Sequence, residues 1–535
     1  MEMRERGQLL KNAGIVSSAT MVSRVLGLIR DIATASIFGT SAAWDAFVVA
    51  FTIPNLFRRL FGEGAMTAAF VPVFTGYLEG KGRAEAWKLA SVVISTLAVV
   101  LAALVLAGMA VCWALASWGR EESALVFGLS GVMLPYLFFI CLVGLIAGLL
   151  NSLRHFTVPA FSPVVLNIAW LAALFVICPL YGPRLEDRIF GLALGVLAGG
   201  VAQLAVQIPV LYRRGFRFRF MLDFRHPGMR RIILLMGPGI VGLAVFQLNT
   251  LVDRVLAIGF LGEGAPSALY YANRLVQLPL GLFGAALATV ILPLLSSQAA
   301  GARFAGLRET YLRSMKLIFL VGLPSTMGLI LLRRPLIGAL FQRNQFDSAS
   351  VQATAWVLLY YSLGLVAFMG LKVTSQVFYA LQRPGIPVRA GLAAMAFNLA
   401  CNLAVVFIPP LRDGLGAGGL ALSTALAAFI NLGLLLKFLR AKVPGSYRPM
   451  WELLGRAAAA TAVMSGACVG AIFLCGRLFP GEGLSARLPT LGIPLAASLG
   501  VYWASSRLLG IDFRKEFHPR AVPDANAGPP AGGVQ

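Results

Sequence analysis

The chain has 535 residues, 58% of them hydrophobic and 13% charged, with mean hydropathy +0.81; soluble domains carry roughly a quarter charged residues, so a soluble globular class is excluded. Lys and Arg outnumber Asp and Glu by 45 to 22, a net charge of +23. The basic residues nevertheless fall in short clusters between apolar runs, so no nucleic acid partner is expected and the charge reads as a topology signal facing anionic membrane lipids.

The start, MEMRERGQLLKNAG, is basic but leads into a segment with Arg24, Arg30 and Asp31 and no small-residue cleavage site, unlike a removable signal peptide. From there apolar stretches recur, and about fourteen are long enough to cross a bilayer. The predicted spans are 12–38, 44–76, 88–118, 123–150, 158–180, 189–212, 231–260, 266–297, 310–332, 351–380, 387–408, 415–440, 455–476 and 488–510. Long runs of Leu, Ala and Val exclude a β-barrel, so the fold class is an all-α polytopic membrane protein. The six cysteines lack CxxC spacing and there are three histidines, which argues against a disulfide framework or structural zinc.

Loop charge tests the span count. With the amino terminus inside, cytoplasmic segments carry about 29 Lys/Arg and external ones about 9, and the alternation holds along the chain. The connection YRRGFRFRFMLDFRHPGMRR, with seven arginines from Arg213 to Arg231, is the strongest cytoplasmic signal. Arg333, Arg334 and Arg343 carry the wrong sign for an external loop, and a short amphipathic interfacial helix is expected there. Both termini are therefore placed in the cytoplasm. The tail after Arg520, AVPDANAGPPAGGVQ, is expected to be disordered.

The segment from Leu28, LIRDIATASIFGTSAAWDAFVVAFTIPNLFRRLFGEGAMTAAFVPVF, has a weak echo from Leu251, LVDRVLAIGFLGEGAPSALYYANRLVQLPLGLFGAALATVILPLL. Each copy places a charged pair before a Gly loop and ends a long helix at Pro72 or Pro293. Such repeats mark transporters, although small residues also serve simple helix packing.

Charges inside spans cost about 2.5–3.5 kcal/mol each on insertion scales. Arg24, Arg30 and Asp31 fall in the first span, Asp45, Arg58, Arg59 and Glu63 in or near the second, Asp253 and Arg254 in the seventh, Arg274 in the eighth and Lys372 in the tenth. Arg30 with Asp31 and Arg59 with Glu63 can pair locally, and Asp45 and Arg254 can snorkel from span ends. Arg24, Arg58, Arg274 and Lys372 have no obvious carboxylate close in sequence, and cations converging in a cleft would suit a polyanion such as a diphosphate. Asn398 and Asn402 share a helix face and, with Thr424 and Asp253, form an oxygen set that suits sodium; interhelical hydrogen bonding is the competing reading.

SSATMVSRVLGLIRDIATASIFGTSAAWDAFVVAFTIPNLFRRLFGEGAMTAAFVPVF closely resembles the amino-terminal signature of the MurJ/MviN lipid II flippases, of the multidrug/oligosaccharidyl-lipid/polysaccharide exporter superfamily, and YYANRLVQLPLGLFGAAL resembles their eighth helix. The likeness runs to about residue 510. It implies two six-helix lobes, 1–220 and 221–445, two further helices in 446–512 forming a groove for the lipid tail, and a cytoplasmic tail, 513–535. It also implies alternating access carrying the peptidoglycan precursor between leaflets, with lipid II as substrate, transport in place of catalysis and no cofactor beyond a sodium ion.

By match to the family motif, Arg24, Arg30, Arg58 and Arg274 correspond to cavity arginines, while Lys372, Asp45 and Glu63 fall on charged family positions. Asp31, Asp45, Glu63 and Asn273 are expected to serve as gating or charge-pair residues. In some members sodium is bound at positions matching Asp253, Asn398, Asn402 and Thr424. Two departures stand out: Asn273 replaces an acidic residue often found just before the eighth-helix arginine, and Asn402 replaces a carboxylate of a sodium-binding relative. A monomer is expected, with other cell-wall synthesis proteins as candidate partners.

Three rival readings remain from sequence. A drug or cation exporter of the same superfamily should show an acidic cavity, whereas this set is basic. A polytopic glycosyltransferase needs a catalytic carboxylate in a sizeable loop, and the external loops here are short and Gly-rich. A scaffold would leave the intramembrane arginines an unexplained cost.

Overall fold

A computed structural model describes residues 2–59, 65–118, 121–481 and 483–513. Each predicted span is mainly helical along its described residues, with a break at Gly364 inside 351–380, and no strand occurs among the described residues. The protein is an all-α, multi-pass membrane protein. Among the described residues, nine helices are long and apolar enough to cross a membrane, or ten if the pair Ser348–Leu363 and Leu365–Ala380, bent by 42°, is one span. Helix Glu2–Phe38 lies outside that set and carries Arg24, Arg30 and Asp31. The tail 514–535 lies outside the described residues.

In chain order the helices are α1 Glu2–Phe38, α2 Ala42–Phe57, α3 Ala65–Gly80, α4 Gly82–Trp118, α5 Glu121–Ser152, α6 Thr157–Ala172, α7 Leu185–Arg213, α8 Pro227–Phe260, α9 Ala265–Pro279 and α10 Ala286–Ala300. They continue as α11 Phe304–Leu331, α12 Arg333–Phe341, α13 Ser348–Leu363, α14 Leu365–Ala380, α15 Gly385–Phe407, α16 Pro409–Leu415, α17 Ala417–Lys442, α18 Arg448–Leu478 and α19 Leu484–Leu508. Wider π turns, Ala173–Ile177 and Leu280–Ala285, extend α6 and join α9 to α10, the second just after Pro279, which cannot donate a helical hydrogen bond.

The chain divides into two compact units. The first holds Met1–Ala272, Leu340–Val357 and Gly391–Ser423; the second holds Asn273–Ala339, Leu358–Ala390 and Thr424–Gln535. In the first unit, α5 packs against α2, α4 and α7, and α1 against α6. Helices α6 and α7 approach closely because α7 presents glycines: a Cβ on Gly195 would lie 2.0 Å from that of Ala173, and one on Gly199 would lie 2.8 Å from Leu166. An aromatic cluster fills the interior, with Trp44 stacked 5.0 Å from Phe47, and Trp170 edge-on to Phe47 and Phe51 at 5.3 and 5.6 Å.

In the second unit, α11 packs against α14 and α18, and α18 and α19 form a hairpin. Buried Leu320, Leu453, Ala457 and Ile511 make one core there, and Tyr502 donates to the Leu320 carbonyl at 2.7 Å. The expected short helix at the basic 333–343 segment is α12. Two of the segment's three arginines have a local role: Arg333 donates to Ile330 O at 2.6 Å and Arg343 to Leu340 O at 2.5 Å. Both satisfy carbonyls that the last turn of a helix leaves unpaired.

Candidate functional site

Arg30 and Asp31 are buried at 6% and 4% exposure, tolerable for charges only when they are paired and hydrogen-bonded. Arg30 Nη2 and Nε donate to Asp31 Oδ1 at 2.7 and 3.1 Å, and Nη1 donates to Asn167 Oδ1 at 3.1 Å. The guanidinium also lies 4.4 Å from the centre of the Trp170 ring. Asn167 Nδ2 donates to Ser23 O, Trp170 Nε1 to Thr34 Oγ1 and the Tyr270 hydroxyl to Asp31 Oδ1, each at 3.1 Å. These contacts bind α1 to α6 and turn Arg30 into the first unit. Arg24, six residues earlier and about 9 Å along the helix at 1.5 Å per residue, is exposed.

Asp45 does not snorkel from a span end. It is 2% exposed, and its carboxylate accepts from Gly264 N at 2.6 Å, from Ser267 N at 2.8 Å and from the Ser267 hydroxyl. These donors begin α9, where the first N–H groups have no intrahelical acceptor and the helix dipole favours negative charge. The exchange is reciprocal: Glu263 Oε1 accepts from Ala42 N at 2.8 Å at the start of α2, where Ser41 Oγ also accepts from Trp44 N at 3.4 Å. The partner of Asp45 is thus a helix terminus.

Arg254 is likewise turned inward. Its Nη1 donates to Val48 O and to Thr52 Oγ1, both at 3.0 Å, and it lies 5.6 Å from the Tyr270 ring centre. Arg58 stands half-buried in a π turn that ends α2, its Nε donating to Asn55 Oδ1 at 3.0 Å. Glu63, the expected neighbour of Arg59, lies outside the described residues.

Asp253, Asn398 and Asn402 come together, all at or below 5% exposure. Asn402 Nδ2 donates to Asp253 Oδ1 at 2.6 Å and to Asn398 Oδ1 at 2.8 Å. The amide therefore supplies the positive hydrogens that a cation would otherwise bring to these oxygens, while Asn402 Oδ1 is buried with no hydrogen-bond partner. One carboxylate and two amide oxygens suit a weakly charged monovalent ion better than a divalent one. Among the described residues no cluster of three or more His, Cys, Asp or Glu forms a metal site. Thr424, the fourth expected ligand, belongs to the second unit.

The second unit also contains Asn273, Arg274 and Lys372. Arg274 on α9 and Lys372 on α14 are exposed, and Asn273 Oδ1 accepts from Gln277 Nε2 at 3.4 Å.

Sequence reasoning missed Asn167, Trp170, Glu263, Ser267 and Tyr270. Asn167 carried a signal, since an amide within the apolar run VVLNIAWLA needs a partner. Glu263, between two glycines just before a helix, carried another. Tyr270 and Ser267 carried none, because their roles depend on distant acceptors.

The family model of the lipid II flippase MurJ matches residues 34–482. The chain is 36% identical over 523 residues to the probable lipid II flippase MurJ of Vibrio cholerae, covering 94% of this chain and 97% of that one. It is 36% identical over 448 residues to the lipid II flippase MurJ of Burkholderia cenocepacia, covering 81% and 84%. A solved lipid II flippase MurJ in an inward closed conformation superposes with TM-score 0.73 at 25% identity, over 92% of this chain and 98% of that one. An inward-facing multidrug resistance transporter of the MATE family shares the fold, with TM-score 0.67 at 14% identity over 81% and 98%. With basic residues carried on apolar helices and a match along most of its length, the chain belongs to the MurJ lipid II flippase family, a family of transporters.

Proposed function

We propose that this protein moves lipid II, the undecaprenyl-diphosphate-linked peptidoglycan precursor, from the inner to the outer leaflet of the cytoplasmic membrane. The mechanism is alternating access of lobes 1–220 and 221–445, with the helices of 446–512 guiding the lipid tail. The observation that carries this reading, within the family, is the set of cations: exposed Arg24 and half-buried Arg58 in the first unit, exposed Arg274 and Lys372 in the second. Guanidinium groups engage phosphate oxygens in pairs, and the lysine adds a point charge. Arg30 acts as a positioning residue, because its contacts with Asn167 and Trp170 hold α1 on α6.

The buried carboxylates of the first unit support an anionic substrate over a cationic drug. Asp31 faces Arg30, Asp45 a helix terminus and Asp253 the Asn402 amide. The Asp253, Asn398 and Asn402 cluster is proposed to take one sodium ion when Asn402 turns its unpartnered oxygen inward, since rotating an amide end for end exchanges donor and acceptor. Both termini are placed in the cytoplasm by the loop arginines. The working unit is proposed to be a monomer that receives lipid II from other cell-wall synthesis proteins.

The test is translocation by the purified chain in vesicles loaded with lipid II, read by an external probe of the headgroup. Flipping that depends on the protein and is lost in Arg24→Ala and Arg274→Ala supports the reading; equal flipping in protein-free vesicles, or in both variants, refutes it.

A further inference from the structure

The connection from α7 to α8 contains the basic, aromatic segment FRFRFMLDF, residues 216–224. It is not helical, and it lies along α4. Phe216 is 2% exposed and packs 5.3 Å from the Trp87 ring. The Arg219 amide donates to Ser91 Oγ at 3.5 Å and the Met221 amide to Ser95 Oγ at 3.1 Å. The registers match: serines four apart on a helix are separated by about 6 Å, and amides two apart in extended chain by about 6.7 Å.

Lys88 is the last charged residue of α4 before a run of thirty uncharged ones to Trp118, so it marks the membrane surface. Ser91 and Ser95 lie beyond it by about 4 and 10 Å at 1.5 Å per residue. The loop backbone therefore passes below the level of Lys88, where an unpaired N–H is costly, and the two serines supply acceptors there. Its outward side chains are unusual for a loop: Phe218 is 42% exposed, Phe220 65%, Leu222 45% and Phe224 62%. Beside them stand exposed Arg217, Arg219 and Arg225. Arg217 leans on Tyr212, donating to its carbonyl at 3.3 Å with the ring centre 5.4 Å away. The single carboxylate, Asp223, accepts from the Arg225 amide at 3.0 Å.

We propose that residues 216–224 form an interfacial anchor that buries Phe218 and Phe220 in the leaflet and gathers anionic phospholipid headgroups at Arg217 and Arg219. Aromatic rings settle at the level of the headgroups, and each arginine near the surface strengthens attachment to anionic lipid about fivefold. The anchor does not depend on which substrate the transporter carries. It fixes the end of α7 and the start of α8 to the membrane surface.

The experiment uses the full-length chain with its six cysteines replaced by serine or alanine. An environment-sensitive fluorophore is attached at Phe220→Cys, with Arg83→Cys as an exposed control, in vesicles of phosphatidylcholine with or without phosphatidylglycerol. The label at 220 should be shielded from aqueous iodide and quenched by nitroxide lipid, and labelled phosphatidylglycerol should quench several-fold more strongly than labelled phosphatidylcholine at equal content. Arg217→Gln with Arg219→Gln should abolish that preference while leaving the iodide shielding, and 0.5 M salt, screening over roughly 4 Å, should weaken it. Iodide quenching at 220 equal to that at 83, equal quenching by the two lipids, or shielding from iodide and lipid alike, as under a protein partner, each overturns the proposal.

Discussion

Replacing Asp45 tests whether two helix termini are held by exchanged carboxylates. In Asp45→Ala, the buried N–H groups of Gly264 and Ser267 lose their acceptor, while the Ser267 hydroxyl can rotate toward another. At about 1–3 kcal/mol for each buried donor left unsatisfied, the two amides put the loss at about 2–6 kcal/mol. Asp45→Asn keeps one acceptor oxygen but sets an NH₂ group against the second donor, so about half that loss is expected. Glu263→Gln removes the same kind of carboxylate from an exposed contact, and there the cost should stay below about 1 kcal/mol. The assay is the thermal midpoint of the purified chain in detergent, followed by fluorescence-detected gel filtration and used as a rank order because such unfolding is irreversible. The expected order is Asp45→Ala lowest, then Asp45→Asn, then Glu263→Gln close to the parent. A midpoint for Asp45→Asn equal to the parent, or Glu263→Gln falling lowest, would refute the reasoning.

Three further outcomes follow from the same contacts. Arg30→Ala should sharply reduce the amount of folded protein, because a buried Asp31 left without its cation costs about 3–5 kcal/mol; Arg24→Ala should leave abundance unchanged and abolish complementation of a depleted strain, and quantitative blotting beside growth separates the two. Asn402→Asp should make thermal stability depend on sodium, since a second carboxylate beside Asp253 repels it unless a cation intervenes; equal midpoints in sodium and potassium would remove the site. Gly39→Ala should lower the midpoint clearly, because Gly39 has φ of +59° and an added Cβ would lie 2.3 Å from the Gln345 carbonyl oxygen, whereas Gly76→Ala, with open space around it, should be tolerated.

The membrane class and the positions of the helices were legible in the chain because both follow from local properties. An apolar run of sufficient length must pair its own backbone, and basic loops record the side on which they stay. The α12 arginines show the limit of that logic. Their charge is read as a side signal from sequence, whereas the structure gives Arg333 and Arg343 a second, local use as donors to helix-end carbonyls.

The charged residues were also visible in the sequence, since each is costly in a span, but their roles were not. Arg30 and Arg24 are the same residue type six positions apart on one helix. Only packing made one a buried clamp on Asn167 and Trp170 and left the other on an accessible face. Asp45 looked like a residue near a span end because its partners, Gly264 and Ser267, are over two hundred residues away. Likewise, the sequence marked Asp253, Asn398 and Asn402 as oxygen donors, and the tertiary structure decided that the Asn402 amide stands between the other two. Composition determines that a charge must be compensated; which distant group compensates it is set when the helices pack.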